Sequence, residues 1–178
     1  MKKSLLSIVL TSLLASSAIA SDKNSPYIGG GLALESVDGF DTGIALVLNG
    51  GLPLQDVDAG PGVLALEGEF TYSLVPASND YRWYGYHGSW DATIMTLGAY
   101  GAYSIDLNKD FYVKPRVGLI FRSIDLDFAS DNELGLAFGV GAGYKINKDL
   151  SAYVNYNLVD GFDITHLTFG VEYSLSGL

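Results

Sequence analysis

The sequence predicts an all-β fold: an eight-stranded antiparallel up-and-down transmembrane β-barrel. Three observations carry this reading. Segments of about ten residues alternate apolar and polar side chains along most of the chain. Clusters of Gly, Asn and Asp separate these segments. An apolar content of 48% and a positive mean hydropathy stand beside only 17% charged residues, and past the N-terminus no apolar run is long enough for a spanning helix.

The first element to place lies outside the barrel. Lys2 and Lys3 precede the apolar run Leu5 to Leu14, and small residues follow, ending in Ala18-Ile19-Ala20. A charged start, a short apolar centre and small residues two positions apart before Ser21 form a secretory signal peptide. Residues 1–20 are therefore read as that signal and residues 21–178 as one barrel domain. Removing Lys2 and Lys3 leaves 8 basic against 20 acidic residues, a net charge of −12. A chain this acidic is not expected to bind nucleic acid. It has no cysteine, so an exported protein of this kind is held by hydrogen bonds and packing instead of disulfides.

Eight strands follow in order. Tyr27 to Glu35 and Thr42 to Asn49 open the set. In Val63 to Leu74, Leu64, Leu66, Phe70, Tyr72 and Leu74 share one face, while Ala65, Glu67, Glu69, Thr71 and Ser73 share the other. Thr93 to Ile105 comes next. Phe111 to Arg122 sets Val113, Pro115, Val117, Leu119 and Phe121 against Tyr112, Lys114, Arg116, Gly118 and Arg122. Leu134 to Ile146 sets Leu136, Phe138, Val140 and Tyr144 against Gly135, Gly139, Gly141 and Gly143. Leu150 to Val159 precedes the last segment, Thr165 to Leu175, where Leu167, Phe169, Val171 and Tyr173 alternate with His166, Thr168, Gly170 and Glu172. The apolar spacing never settles at three and four, so no helix is expected.

The connections sort into two classes. Asp106 to Asp110 and Asn147 to Asp149 are tight polar turns, expected on the periplasmic side. Ser36 to Asp41, Pro76 to Asp91, Ser123 to Glu133 and Asp160 to Asp163 are expected as outward loops. Gly50 to Gly62 breaks the pattern: it is too long for a periplasmic turn, unless the strand edges lie elsewhere. Alternation also fits a soluble barrel with its apolar face inward. Glycines on the polar face, aromatics near strand ends and the absence of an open edge favour the membrane.

The last strand carries a more specific signal. Thr168, Gly170, Tyr173 and Leu175 in TFGVEYSL follow the order polar, glycine, aromatic, hydrophobic, and this resembles the last-strand signal read by the outer-membrane assembly machinery. Over its whole mature length the chain is similar to small outer-membrane barrels of the OmpA/OmpX type and the opacity family. YIGGGLAL, MTLGAYGAYSI before the DLNKD turn, FYVKPRVGL, GLAFGVGAGYKI and TFGVEYSL carry the likeness. The resemblance implies an outer-membrane location in a Gram-negative envelope and a structural or adhesin-like role. The partners it implies are outer-membrane lipid and lipopolysaccharide, the assembly machinery, and a host or envelope ligand at the outer loops.

Reaction chemistry finds little support. His166, Thr168 and Glu172 share a strand face and resemble the residue types of an outer-membrane lipid A deacylase, with Thr in place of Ser. His87, Ser89 and Asp91 match those of a lipid A palmitoyltransferase-like site. Neither set carries spacing that forces a shared geometry, so the protein is read as a non-enzyme. The glycines from Gly139 to Gly143 lack the strand-to-helix context of a phosphate cradle. The acids Asp38, Asp41, Asp125, Asp127 and Asp131 have no EF-hand spacing and are read as a solvated surface. No metal and no cofactor is expected.

Two site expectations remain. Glu67, Glu69, Lys114, Arg116 and Glu172 all point inward, so an ion-pair network should fill the lumen and leave a monomeric, plugged barrel instead of a small channel. Tyr81, Arg82, Trp83, Tyr84, Tyr86 and Trp90 crowd the longest outward connection. Large aromatics with Arg are the residue types of binding hot spots, and these six are the candidate contact surface.

Overall fold

The computed structural model describes residues 25–37, 41–83, 86–126, 129–159 and 164–175, without the side chains of 37, 79–91, 126, 129 and 130. The strands are β1 (Tyr27–Val37), β2 (Gly43–Pro53), β3 (Gly62–Val75), β4 (Ala77–Trp83), β5 (Tyr86–Asp106), β6 (Phe111–Leu126), β7 (Ala129–Lys145), β8 (Leu150–Val159) and β9 (Ile164–Ser174). Both β3 and β4 pair with β5, so they are two stretches of one stave broken at Pro76. Proline has no N–H to give the ladder, and beside it the β2–β3 register shifts between Ile44 and Ala45. Counted this way, eight antiparallel staves follow in chain order. β1 then pairs with β9 from Tyr27↔Ser174 to Val37↔Ile164 and closes the barrel.

Period-two patterning decides which face is inside. Leu32, Leu66, Val117 and Phe169 are each about half exposed on the outer wall, whereas Glu67, Lys114, Arg116 and Thr168 on the alternate positions are buried. An apolar belt on the outside of a closed barrel needs a hydrocarbon solvent. The soluble reading, with its apolar face inward, is thereby overturned.

Three connections share one end with Ser25 and Leu175, called here the terminal end. Two are the same tripeptide, Asn108-Lys109-Asp110 and Asn147-Lys148-Asp149. In each the Asn Oδ1 accepts the backbone N–H groups two and three residues on, all at 2.9 Å, which is the self-capping that makes Asn a turn residue. The third connection takes the second of the two readings open to it, strand edges that lie elsewhere: β2 runs on to Pro53, leaving residues 54–61 as the turn. It folds back through Leu54 N–H to Leu64 O at 2.8 Å and places Gly60 at φ +73°, which a Cβ would disfavour.

The opposite, far end is also revised. The segments expected as long loops from Pro76 to Asp91 and from Ser123 to Glu133 are mostly strand. β4 pairs with β5 up to Trp83↔Tyr86, and β6 pairs with β7 up to Leu126↔Ala129. β8 meets β7 only from Ala137 onward, so both hairpins rise beyond the closed wall. Their polar, turn-like composition masked a continuing backbone ladder.

Candidate functional site

The lumen of the terminal half is filled by one connected polar network. Lys114 on β6 places Nζ 2.6 Å from Glu67 Oε1 on β3 and 2.8 Å from Glu172 Oε1 on β9. Two residues along β6, Arg116 reaches Glu69 Oε2 at 2.7 Å and Glu67 Oε2 at 3.3 Å. Its Nε donates to Asn157 Oδ1 at 2.8 Å, and its guanidinium carbon lies 4.4 Å from the Tyr100 ring centroid. The structure thus brings Glu67, Glu69, Lys114, Arg116 and Glu172 together, all of them buried.

Three carboxylates face two cations here, and neutral donors serve the excess acid. Tyr27 OH donates to Glu67. Glu172 accepts from Asn49 Nδ2 at 3.0 Å and from Tyr112 OH at 3.1 Å. Tyr153 OH in turn donates to Asn49 Oδ1 at 3.2 Å. Such donors are what a carboxylate out of water requires. The sequence reading missed Tyr27, Asn49, Tyr100, Tyr112, Tyr153 and Asn157 as members. Tyr112 already shares the polar face of Lys114 and Arg116, and extending the inward parity to the weaker strands finds Tyr27, Asn49, Tyr100, Tyr153 and Asn157.

Glycines make room for this network. Among the described residues, Tyr27, Tyr112 and Tyr153 lie against the glycines that pair with them on the next strand, Gly51, Gly143 and Gly170, and the Tyr100 ring runs from Gly118 to Gly98. A Cβ at Gly143 would clash with the hydroxyl end of the Tyr112 ring, and one at Gly139 or Gly141 would meet the Asn157 or Asn155 amide. The glycine run of β7 is therefore the space into which β6 and β8 project. Toward the terminal end the network borders a cavity of about 450 Å³, lined by Tyr27, Tyr112, Lys114 and Glu172 with Lys145 and Lys148.

The far half of the lumen is different. Ala33, Ala45, Val47, Ile94, Ile120, Ala137, Val159 and Ile164 are buried there, beside Thr71 bonded to Thr96 at 2.7 Å. Arg122 pairs with Glu133 at 2.9 Å, and Glu35 accepts from Ser73 Oγ at 2.6 Å. An interior of polar and small residues was expected throughout, and the branched apolar filling corrects this.

The structure does not bring either enzyme-like set together among the described residues. Glu172 lies six residues from His166 along β9, about 20 Å by strand rise, and is held by Lys114, Asn49 and Tyr112. His166 instead faces Glu35, 3.6 Å away. His87, Ser89 and Asp91 lie on β5 and not in a loop, and their side chains are outside the described residues. So are those of Tyr81, Arg82, Trp83, Tyr86 and Trp90, whose backbones form the β4–β5 hairpin, and the whole of Tyr84. Among the described residues no group of three or more acidic, His or Cys side chains could hold a metal; Asp38 and Asp127 lie outside them. On β9, Thr168 is buried in the lumen, Gly170 lies under Tyr153 and Tyr173 faces outward; just past its end, Leu175 N–H donates to Pro26 O at 2.7 Å.

The family model described as "Outer membrane protein beta-barrel domain" matches residues 6–175. The chain belongs to that family. It is an outer-membrane β-barrel protein, and solved barrels share its fold. OprG of Pseudomonas aeruginosa is 15% identical, with 87% of this chain and 98% of that one covered and a TM-score of 0.60. Ail, the attachment invasion locus protein of Yersinia pestis, solved with the heparin analogue sucrose octasulfate, is 13% identical, with 85% and 98% covered and a TM-score of 0.58. Neisserial surface protein A is 21% identical, with 84% and 97% covered and a TM-score of 0.53. No curated protein sequence matches the chain.

Proposed function

We propose that this family member is a monomeric, plugged barrel that does no chemistry and works through its far end, turned outward to bind a host or envelope ligand. The observation that carries the reading is the Lys114–Arg116 network, which draws side chains from β1, β2, β3, β5, β6, β8 and β9 into the lumen. Eight staves leave room for side chains alone, and a filled lumen leaves the surface as the working part. Export through the signal of residues 1–20, folding through the Thr168–Leu175 signal and seating in lipid beside lipopolysaccharide complete the proposal.

Charge indicates the kind of ligand. By sequence, the far-end hairpins and connections carry ten acids (Asp38, Asp41, Asp80, Asp91, Asp125, Asp127, Asp131, Glu133, Asp160 and Asp163) against two arginines, Arg82 and Arg122. Ail was solved with a polyanion; a surface of this charge repels one and attracts a partner with a basic face. The β4–β5 hairpin adds Trp83 and Trp90 as anchors.

The test is adhesion of cells displaying the protein. Trp83→Ala with Trp90→Ala abolishes adhesion while the barrel keeps its different gel migration before and after boiling, and added heparin does not compete. A double variant that fails to insert makes the rings membrane anchors and removes the contact surface.

A further inference from the structure

One buried titratable pair has no part in the lumen network or the far-end surface. Glu35 on β1 and His166 on β9 are register partners across the seam where the first and last strands close the barrel. Both are essentially fully buried, Glu35 at 0% and His166 at 1% exposure. His166 Nε2 lies 3.6 Å from Glu35 Oε1, just beyond hydrogen-bond length. Neither imidazole nitrogen, nor that carboxylate oxygen, has a hydrogen-bond partner.

The other groups around the pair leave that gap open. Ser73 on β3 occupies Glu35 Oε2 and also accepts the Ile94 N–H at 2.9 Å. Arg122 on β6 is paired with Glu133 on β7, and Arg116, lower on β6, is committed to Glu67, Glu69 and Asn157. Asn157 on β8, the register partner of His166 on its other side, has its Oδ1 taken by Arg116. A neutral imidazole that turned its N–H to Oε1 would close the gap but leave Glu35 as an uncompensated charge at full burial, which is costlier than sharing one further proton with the ring.

We propose that Glu35 and His166 together hold one proton beyond the ring N–H of a neutral imidazole, that it closes the gap between Oε1 and Nε2, and that it latches the far half of the seam, making closure there depend on pH. The sign follows from proton counting. Counted beyond the ring N–H of a neutral imidazole, an unfolded chain carries one proton on these two side chains between about pH 4.3 and 6.5 and none above that. The folded pair keeps its one proton. Stability from the latch is therefore level in the lower window and falls as pH rises beyond it, with the unfolding equilibrium constant approaching a tenfold rise per pH unit above about pH 7.

His87 is the only other histidine, so the experiment uses the full barrel carrying His87→Gln. Urea unfolding in detergent between pH 7 and 8.5 should show the near-tenfold slope, and adding Glu35→Leu should abolish it. Leucine leaves no donor or acceptor, and an apolar replacement of a buried charge is tolerated. Nitrogen-15 spectra of the His87→Gln barrel report His166 alone. At pH 7 its Nε2 should carry the signature of a hydrogen-bonded nitrogen, and Glu35→Leu should return it to that of an unpaired ring. A slope that survives Glu35→Leu overturns the latch. So does an unpaired Nε2 resonance in the His87→Gln barrel from pH 5.5 to 8.5, a result that stands even if the Glu35 variant does not fold.

Discussion

The two halves of the lumen fill the same tube by opposite means. In the terminal half, Lys114 and Arg116 tie Glu67, Glu69 and Glu172 into one network, roofed by tyrosines lying on glycines. In the far half, Val47 packs with Ala33 and Ala45, and Ile120 with Ala137 and Val159, beside buried Glu35, Arg122 and His166. Inward strand positions need only be small enough, or paired enough, to close the space. Charge complementarity and van der Waals packing both satisfy that condition, but they fail differently. Removing one member of the first strands a charge; trimming the second leaves a small void.

This contrast sets the order of expected effects in urea unfolding of the detergent-folded barrel. Arg116→Ala should cost the most, about 3 to 5 kcal/mol, because it leaves Glu69 without its cation and Glu67 with only one. An unchanged midpoint would reduce the network to hydrated side chains. Gly143→Ala should cost about 1 to 3 kcal/mol by forcing the Tyr112 ring off its seat. The same change in a Tyr112→Leu background should cost clearly less, and equal costs in both would break the tyrosine-on-glycine account. Ile94→Val, in the far half, should lose about 0.5 to 1.5 kcal/mol, the usual price of one buried methylene. Gly68→Ala is the control: on the outer wall a Cβ there meets nothing within 4 Å, so stability should move by no more than about 0.5 kcal/mol.

The sequence made the barrel legible because period two is a direct consequence of strand geometry. Glu67, Glu69, Lys114, Arg116 and Glu172 could be set inward by parity on three strands. Their partners could not be named from the sequence, since register between β3, β6 and β9 decides which heights coincide. The far hairpins read as loops in the sequence because Ser, Asp and Asn mark turns in one context and strand in another. The residues from 77 to 91 (ASNDYRWYGYHGSWD) do not alternate apolar and polar, so period two does not report the strands there. Ile94 and Ile120 were missed for a related reason: an inward isoleucine beside an outward apolar residue reads as a continuous run. Glu35 sits on the last turnward residues of a strand placed only weakly, and its pairing with His166 depends on a closure between chain ends that no local pattern signals.

Conductance tests the central claim most directly, because a plugged lumen and an open one differ there by kind. The purified barrel is reconstituted in planar lipid bilayers and single-channel current is recorded under a steady voltage. With the Lys114–Arg116 network in place the expected result is no sustained current from the intact protein, whereas Arg116→Ala should show leak events. Large, steady conductance from the unaltered chain would contradict the plug, and with it the assignment of function to the far end.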